Sequence, residues 1–368
     1  MTYLPTTLAA ATGPLAAPKR ALPSPFPGWV RVAAGVVALG LIFVIPFLVS
    51  DAWLAALALA GAYAVAAIGL NLFTGRMGQF SMAMPFFMGV GAYSTAFLGA
   101  QLGLPFLIVV VVALGLGLVF GFLAGLIAIR LGGDELAITT LGILMVGQYI
   151  WNSWVPVTGG DSGVNIRAAS TAILGFDPAQ VGGLTREQSM FVFTWIVVAI
   201  VAYFATSIID FRPGRAMQAI HDSQRAAEAV GVDVRSYKVR VSAIMGGCGA
   251  AAGVLYAVLQ QFAAPSGFDV STAIMLFAMI LVGGNGRVSG AILGAVLIWS
   301  FKTWISTDAG FLGVILKTSD SSPGLITPGS LNTLVYGLLI VLVLMFAPKG
   351  VMSVWDRVVA ALRRRIAR

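Results

Sequence analysis

Residues 105–129 read PFLIVVVVALGLGLVFGFLAGLIAI and contain no charged side chain. A helix of about 20 apolar residues crosses the ~30 Å hydrocarbon core of a bilayer, so this run is long enough to span a membrane. Comparable apolar runs recur along the 368 residues, of which 59% are hydrophobic and only 10% charged. A soluble domain carries about 25% charged residues, so this composition excludes a water-soluble globule. The sequence predicts an all-α, polytopic membrane protein.

The apolar runs predict about ten transmembrane helices. They lie at residues 32–49, 53–73, 80–100, 105–129, 136–155, 190–209, 239–262, 271–284, 288–306 and 331–347. An even number places both termini on one side of the membrane, and most of the 22 Lys and Arg fall on that side. Because Lys and Arg accumulate in cytoplasmic loops, we predict cytoplasmic N- and C-termini. The predicted organisation is a disordered cytoplasmic tail at 1–29, a transmembrane domain at 30–352 and a basic cytoplasmic tail at 353–368.

Residues that carry enzyme chemistry are scarce. The sequence has one histidine, His221, and one cysteine, Cys248, so neither a histidine pair for zinc nor a disulfide framework is available. No glycine is followed by lysine, which excludes a phosphate-binding loop of the Walker type. The formal net charge of +8 reflects membrane orientation and does not indicate a nucleic-acid partner. We therefore expect no catalytic residue, cofactor or metal site, and a chain that is not itself an enzyme.

Glycines at four-residue spacing occur in three of the predicted spans. They are Gly117, Gly121 and Gly125 in the fourth span, Gly249 and Gly253 in the seventh, and Gly290 and Gly294 in the ninth. This spacing places them on one helix face, where two backbones can approach closely. We expect ordinary bundle packing at these faces.

The segment of residues 75–85, GRMGQFSMAMP, differs from a simple span. Its glycines loosen a helix, and Pro85 removes a backbone donor. An interrupted helix persists in a membrane only against protein or a water-filled cavity, so we expect this segment to face the bundle interior or a pathway. The alternative is a proline-kinked helix whose freed carbonyls are satisfied by neighbours. The candidate pathway residues are Asn71, Gln79, Ser81, Met84 and Thr140.

Internal symmetry is indicated by the order of the spans. Spans two to five and seven to ten form two sets of four, which begin on opposite sides of the membrane. Each set contains a glycine-rich break, at residues 75–78 and 283–286. This pattern favours an inverted repeat.

The loop between the sixth and seventh spans, residues 212–238, is the longest polar stretch on the predicted cytoplasmic side. Its alanine-rich part, which begins at Asp222, contains strong helix formers. Asp222 or Ser223 can cap the start of this helix and Gly231 fits just past its end, while Asp233 can cap a second short segment. A helix this short is marginal in water, so we expect packing to hold it, on its own membrane domain or in a partner's groove. The alternative is a solvated amphipathic connector.

Several groups of residues, in register along the chain, resemble signatures of the branched-chain amino acid ABC permeases, the LivH/LivM family. They are GLNLFTG at 69–75 with GQFS at 78–81, TGGDSG at 158–163, the polar loop at 214–238, GGNG at 283–286, and YGLLI at 336–340 with APKG at 347–350. TGGDSG is similar to the outer loop of the LivM-type subunit. The family usually has Gly-His where this sequence has Ala83 and Met84. Because this difference falls in the segment expected near the pathway, the resemblance does not fix the solute. Branched-chain amino acids are the default expectation, and related small polar solutes are the alternative.

The resemblance implies a permease subunit of a binding-protein-dependent ABC importer in the inner membrane. Separate ATPase subunits would grip the polar loop, a second homologous permease subunit would complete the pathway, and a periplasmic or extracellular solute-binding protein would deliver the solute. The implied ATPase-coupling residues are Asp222, Arg225, Ala226, Ala227, Glu228, Ala229 and Gly231, and the implied docking residues for the binding protein are Thr158, Gly159, Gly160 and Asp161. The residues alone leave open a secondary transporter or channel that works without an ATPase.

Overall fold

The computed structural model describes residues 40, 42–131, 133–166, 183–308 and 337. The chain divides into two units, Met1–Ile45 and Pro46–Arg368. The described residues of the first unit, 40 and 42–45, are helical. Both predicted tails, half of the first predicted span and all of the tenth span except Gly337 lie outside the described residues.

Helices make up most of the described part of the second unit. In chain order they are α1 (Asp51–Leu70), α2 (Met84–Ser94), α3 (Phe106–Arg130), α4 (Asp134–Ser153), α5 (Val155–Thr158), α6 (Arg186–Asp210), α7 (Arg212–Asp222), α8 (Gln224–Ala229), α9 (Val234–Gln260), α10 (Val270–Gly283) and α11 (Val288–Asp308). Short π-helical turns extend α1 through Asn71–Arg76 and α2 through Thr95–Gln101, and 3-10 turns lie at Ile45–Phe47, Gly160–Ser162 and Pro265–Phe268.

Five helices in the described part of the chain are long and apolar enough to cross a membrane. They are Asp51–Arg76, Phe106–Arg130, Arg186–Asp210, Val234–Gln260 and Pro265–Gly283. The apolar part of α11, Val288–Trp304, is shorter. The chain is thus a helical, multi-pass membrane protein, as predicted, whereas the total of ten spans and the cytoplasmic termini stay predictions.

Helix α9 lies at the centre of the bundle and packs on α1, α2 and α3. Its contact with α3 runs through glycines: a Cβ on Gly121 would lie 2.5 Å from the Ser242 carbonyl oxygen, and one on Gly125 would lie 2.7 Å from the Cα of Val239. No side chain fits between backbones this close, and Gly294 of α11 faces the backbone of α10 in the same way. The predicted role of the glycine faces in helix packing is confirmed.

The first glycine-rich break interrupts the chain between α1 and α2, because residues 77–83 are not helical. Helix α2 begins only at Met84, with Pro85 in its first turn, where the missing N–H costs no helical hydrogen bond. Gln79 and Ser81 are buried. The prediction of an interrupted segment that faces the bundle interior is confirmed, and the alternative of a continuous proline-kinked helix is wrong.

The polar loop contains two helices where the sequence predicts one. Helix α7 begins after the extended residue Phe211 and has Pro213 in its first turn. It ends where Ser223 adopts an extended conformation, and the Ser223 Oγ then accepts a hydrogen bond from the Ala226 amide at 3.3 Å, which caps α8. Asp233 caps the long central helix α9 and not a short segment. The predicted caps are therefore present, but they divide the loop differently.

Two short strands depart from the all-α prediction. Strand β1 (Val164–Asn165) pairs antiparallel with β2 (Phe262–Ala263), with Val164 opposite Ala263. Gln261 ends α9 with φ 54°, and its carbonyl oxygen accepts a hydrogen bond from the Ile166 amide at 2.9 Å. This ladder ties the loop that follows α5 to the end of the central helix.

Candidate functional site

The loop helices α7 and α8 form a ridge, residues 212–231, with one buried and one exposed face. Met217 and Ile220 of α7 are 0% and 1% exposed and belong to the main hydrophobic core. The outward side chains include Asp222, Arg225, Ala226, Glu228, Ala229 and Val230, and Gly231 is exposed as well. The ridge packs on its own membrane domain, which is one of the two kinds of packing expected from the sequence. The alternative of a solvated amphipathic connector is wrong.

Ala227 differs from the other predicted coupling residues. Its side chain is 2% exposed and lies in the same core as Met217. It therefore anchors α8 to this chain and offers no methyl group to a partner. Because adjacent residues on a helix are about 100° apart, Ala226 points outward where Ala227 points inward. Alanine content alone does not separate the two.

Helix α8 has only six residues and is held at its C-terminus by a Schellman motif. The Gly231 amide donates to the Glu228 carbonyl oxygen at 3.0 Å, and the Val232 amide donates to the Ala227 carbonyl oxygen at 3.0 Å. These bonds satisfy carbonyls that a helix end otherwise leaves open. Gly231 has φ 85°, a conformation that favours glycine, so its predicted place just past the helix is confirmed.

The start of α9 is capped by Asp233, and Lys238 fastens this helix to the end of α3. The Ser236 hydroxyl and amide donate to the Asp233 carboxylate at 2.6 and 3.1 Å, and these bonds hold the pKa of Asp233 below its usual value. Further on, the Lys238 Nζ donates to the carbonyl oxygens of Ala128 and Leu131, each at 3.2 Å. A cation at this end of α3 satisfies open carbonyls and meets the negative end of the helix dipole. The sequence does not predict this contact. Lys238 stands out there only as the last residue of the loop signature, and nothing near it indicates the end of α3.

The ridge touches the first break directly. The Arg76 Nη1 donates to the Gln218 Oε1 at 3.2 Å, and the Gln218 Nε2 donates to the Asp222 Oδ1 at 3.1 Å. Beside this pair, the His221 ring lies against Gly78, where an added Cβ would be 2.7 Å from the His221 Nδ1. Gly78 has φ 71°, so backbone conformation and space both favour glycine there. Residues 76–78 thus meet α7 through one hydrogen bond and one packed ring.

The candidate pathway residues are all buried within this chain: Asn71, Gln79, Ser81, Met84 and Thr140. The Thr140 Oγ1 accepts a hydrogen bond from the Met82 amide at 3.0 Å, so α4 supports the break. The Gln79 Oε1 is buried and has no hydrogen-bond partner among the described residues. An unsatisfied buried oxygen costs stability, so this group has unused capacity to bond a solute or water.

Asn71, in the turn that leads into the first break, bonds the backbone at the second break. Its Nδ2 donates to the Arg287 carbonyl oxygen at 2.9 Å, and its Oδ1 accepts from the Gly286 amide at 2.8 Å. Both hydrogen-bonding atoms of the side chain are therefore engaged by backbone groups between α10 and α11. In this conformation the Asn71 side chain has a structural role, because both of its polar atoms bond to backbone groups of the same chain.

The predicted docking residues for a binding protein lie at the other end of α9. The Thr158 side chain is 0% exposed; its Oγ1 is 2.6 Å from the Trp151 carbonyl oxygen and accepts from the Gly160 amide at 3.2 Å. Gly160 is buried too, whereas Asp161 is exposed and Gly159 partly so. Thr158 and Gly160 therefore shape the turn, contrary to the expectation that they face a partner, and Asp161 is the side chain presented outward.

A cavity of about 460 Å³ adjoins this turn. It is lined by Gln148, Asn152, Asp161, Pro265, Ser266, Asp269 and Val270. Two carboxylates and no basic side chain contribute to its wall, so it is electrostatically suited to a cationic group. Within the residues that the structure describes, no group of three or more His, Cys, Asp or Glu could hold a metal ion.

Comparison with known proteins places these features in one family. A family model described as "Branched-chain amino acid transport system / permease component" matches residues 52–344. The high-affinity branched-chain amino acid transport system permease protein LivM of Escherichia coli (strain K12) is 27% identical over 270 residues, which cover 69% of this chain and 63% of that protein. The alignment thus spans less than two thirds of that relative. The probable branched-chain amino acid transport permease protein LivM of Methanocaldococcus jannaschii is 26% identical over 266 residues, 70% of this chain and 72% of that protein.

A more distant relative has a different printed function. The autoinducer 2 import system permease protein LsrC of Escherichia coli O9:H4 (strain HS) is 24% identical over 256 residues, 68% of this chain and 65% of that protein. No solved structure matches the chain. The matched family region contains the ridge, both breaks and the Thr158 turn. This chain therefore belongs to the family of branched-chain amino acid transport system permeases and is of the LivM type.

Proposed function

We propose that this chain is a permease subunit of a binding-protein-dependent ABC importer in the inner membrane, and that it moves branched-chain amino acids or related small polar solutes. Separate ATPase subunits supply the energy, a second homologous permease subunit completes the pathway, and a periplasmic or extracellular binding protein delivers the solute. The observation that carries this proposal is the ridge formed by α7 and α8, a charged surface fastened to the membrane domain.

The outer face of the ridge has the composition of a contact surface. Arg225 and Glu228 are three residues apart on α8 and both exposed, so they lie on the same side of the helix. Val230 follows them and is 78% exposed. Apolar residues within a polar rim are typical of protein interfaces. The ATPase subunits would bind here, with Glu228 and Arg225 pairing with charges on the partner.

The buried face of the ridge explains how a partner's movement could reach the membrane. Met217, Ile220 and Ala227 are packed in the core, and Lys238 fastens the following helix to α3. A preorganised ridge loses little entropy when a partner binds. Force applied to the outer face would therefore shift helices and would not be absorbed by a flexible loop.

The solute route in this proposal begins at the Asp161 cavity and continues to the first break. Asp161 is the docking residue toward the binding protein, and its carboxylate suits a basic side chain of that protein or the ammonium group of an amino acid. Gln79, Ser81, Met84 and Thr140 line the route when the break opens, and the unpartnered Gln79 oxygen bonds the solute in passing.

Cross-linking in the complete transporter tests the ridge assignment. Cys248 is first replaced by alanine, and Glu228→Cys is compared with Ala227→Cys, since the two positions are adjacent but oppositely exposed. We expect the cysteine at 228 to cross-link to an ATPase subunit and the cysteine at 227 not to. Purified chain in liposomes that transports leucine without any ATPase would refute the proposal and favour a stand-alone transporter or channel.

A further inference from the structure

We propose that Gln218 is the positioning residue that transmits movement of the ridge to the first break, through the hydrogen-bonded series Asp222, Gln218 and Arg76. This inference rests on the proposed function, because it needs a partner that moves the ridge. It adds the specific side chains through which the movement passes.

Gln218 is suited to this role because its amide is used at both ends. Its Oε1 accepts from the Arg76 Nη1 at 3.2 Å and its Nε2 donates to the Asp222 Oδ1 at 3.1 Å. Asp222 is the last residue of α7 and is exposed at the ridge surface. The amide therefore connects an exposed carboxylate to a guanidinium on a different helix.

Arg76 lies where the helical turn that extends α1 ends and the non-helical segment begins. It is the last residue of the turn that extends α1, directly before the non-helical residues 77–83. Its Nε is buried and has no hydrogen-bond partner in the described ranges, so the bond to Gln218 is what orients the guanidinium. Hydrogen bonds to charged groups are directional and stronger than neutral ones.

The neighbouring contact acts in the same place. The His221 ring covers Gly78, two residues after Arg76. Met217 and Ile220 also hold α7, but apolar packing is not directional and does not select one position of the break. The hydrogen bond and the packed ring both lie between α7 and residues 76–78.

The break in turn contacts the elements that would respond. Thr140 accepts from the Met82 amide, which connects the break to α4. Asn71, on the same turn as Arg76, accepts from the Gly286 amide, which connects this turn to the second break. A displacement of Arg76 would therefore reach both the candidate pathway residues and the junction of α10 and α11.

The test compares Gln218→Ala with the exchange R76Q/Q218R in the complete transporter reconstituted in proteoliposomes. The exchange restores a donor–acceptor pair between positions 76 and 218. It also places an arginine four residues before Asp222, so that the new guanidinium can pair with the Asp222 carboxylate. The readouts are leucine uptake, ATP hydrolysis, and cross-linking of Glu228→Cys to the ATPase. A fourth readout is the ATP-dependent labelling of Met82→Cys, in a background without Cys248, by a soluble maleimide.

We expect Gln218→Ala to keep the cross-link and ATP hydrolysis but to lower uptake per ATP by about tenfold, the effect of losing one hydrogen bond to a charged group. The ATP-dependent change at position 82 should disappear, and the exchange should restore both. Uptake per ATP equal to that of the parent protein in Gln218→Ala would overturn the inference while leaving the proposed function intact. Absence of the cross-link in the parent protein would instead contradict the proposed function.

A second pair of variants covers the case in which Gln218→Ala does not assemble. Gln218→Glu combined with Asp222→Asn keeps the acceptor toward Arg76 and reverses the donor–acceptor pair between positions 218 and 222, whereas Gln218→Lys keeps a donor toward Asp222 but places like charges beside Arg76. We expect the first variant to keep the uptake per ATP of the parent protein and Gln218→Lys to lower it about tenfold. Equal uptake per ATP in the two variants would show that the contact with Arg76 has no positioning role.

Discussion

Asn71 and Gly286 are 215 positions apart in the sequence, yet the Gly286 amide donates a 2.8 Å hydrogen bond to the Asn71 Oδ1. The Asn71 Nδ2 donates in turn to the Arg287 carbonyl oxygen. One side chain thus bonds two backbone groups between α10 and α11. An interrupted helix within a membrane needs such partners. The turn that leads into the first break therefore supports the second break.

Replacing Asn71 by alanine should destabilise the protein. The change leaves the part-buried Gly286 amide without its acceptor, which costs about 1–3 kcal/mol, whereas the Arg287 carbonyl oxygen keeps the Ala291 amide as a donor at 3.2 Å. Thermal unfolding of the detergent-solubilised chain measures this as a lower midpoint. Asn152→Ala removes an exposed amide and is the matched control. Similar midpoints for the two variants would argue against the role of Asn71 as a link.

Glu228→Arg should uncouple transport. Glu228 is exposed, so charge reversal leaves folding intact but places a wrong charge against the proposed ATPase surface, and like charges across an interface cost several kcal/mol. We expect ATP-driven leucine uptake to fall by at least about tenfold, with normal insertion into the membrane. Glu135→Arg, a reversal at another exposed glutamate, controls for net charge. Normal uptake and normal stimulation of the ATPase would contradict the assignment.

Leucine at two adjacent alanines of α8 should have opposite effects. At Ala227, which is 2% exposed, the larger side chain overpacks the core and lowers stability by about 1–3 kcal/mol. At exposed Ala226 the same change leaves the unfolding midpoint unaltered and weakens binding of the ATPase subunits. The unfolding midpoint and co-purification of the ATPase separate the two. Loss of stability in both variants would mean that α8 does not present Ala226 to a partner.

Lys238→Met should loosen the junction between α9 and α3. Methionine keeps the apolar stem but leaves the carbonyl oxygens of Ala128 and Leu131 without the ammonium donor that now bonds them. We expect a loss of about 1–3 kcal/mol, seen as a lower unfolding midpoint. Arg240→Met, at an exposed position of the same helix, is the control. A midpoint unchanged in Lys238→Met would show that water replaces the ammonium group.

Cysteines at Gln79 and Ser81 should become reactive when the route opens. Both positions are at least nine-tenths buried in this conformation, so labelling by a soluble thiol reagent requires movement of the break. We expect labelling in the energised, complete transporter after removal of Cys248. Ala62→Cys, fully buried in α1, is the control and should stay unlabelled. Protection at both test positions under all conditions would exclude them from the pathway.

Local sequence signals predicted many features correctly. Apolar length identified the five helices that are long and apolar enough to cross a membrane, because the bilayer core imposes that length. Ser223, Gly231 and Asp233 were recognisable as caps, because each supplies a group that the nearest helix end lacks. The break before Pro85 was recognisable because glycine loosens a helix and proline removes a backbone donor. All of these depend on residues within a few positions of one another.

Contacts between distant segments were beyond such reasoning. Nothing near Gln218 indicates that its amide meets Arg76, and nothing near Lys238 indicates the end of α3. Burial also reversed the expected roles of Ala227 and Thr158, which face their own chain. Whether a polar or small residue is presented to a partner depends on the face that packing selects.

Composition and spacing alone settled that this chain is a helical membrane protein, since hydrocarbon accepts only backbones whose hydrogen bonds are satisfied within a helix or a closed barrel. Tertiary structure decided which side chains join the ridge to the first break and the first break to the second. Those pairings arise when helices far apart in sequence pack together, and each depends on hydrogen-bond geometry that no single segment contains.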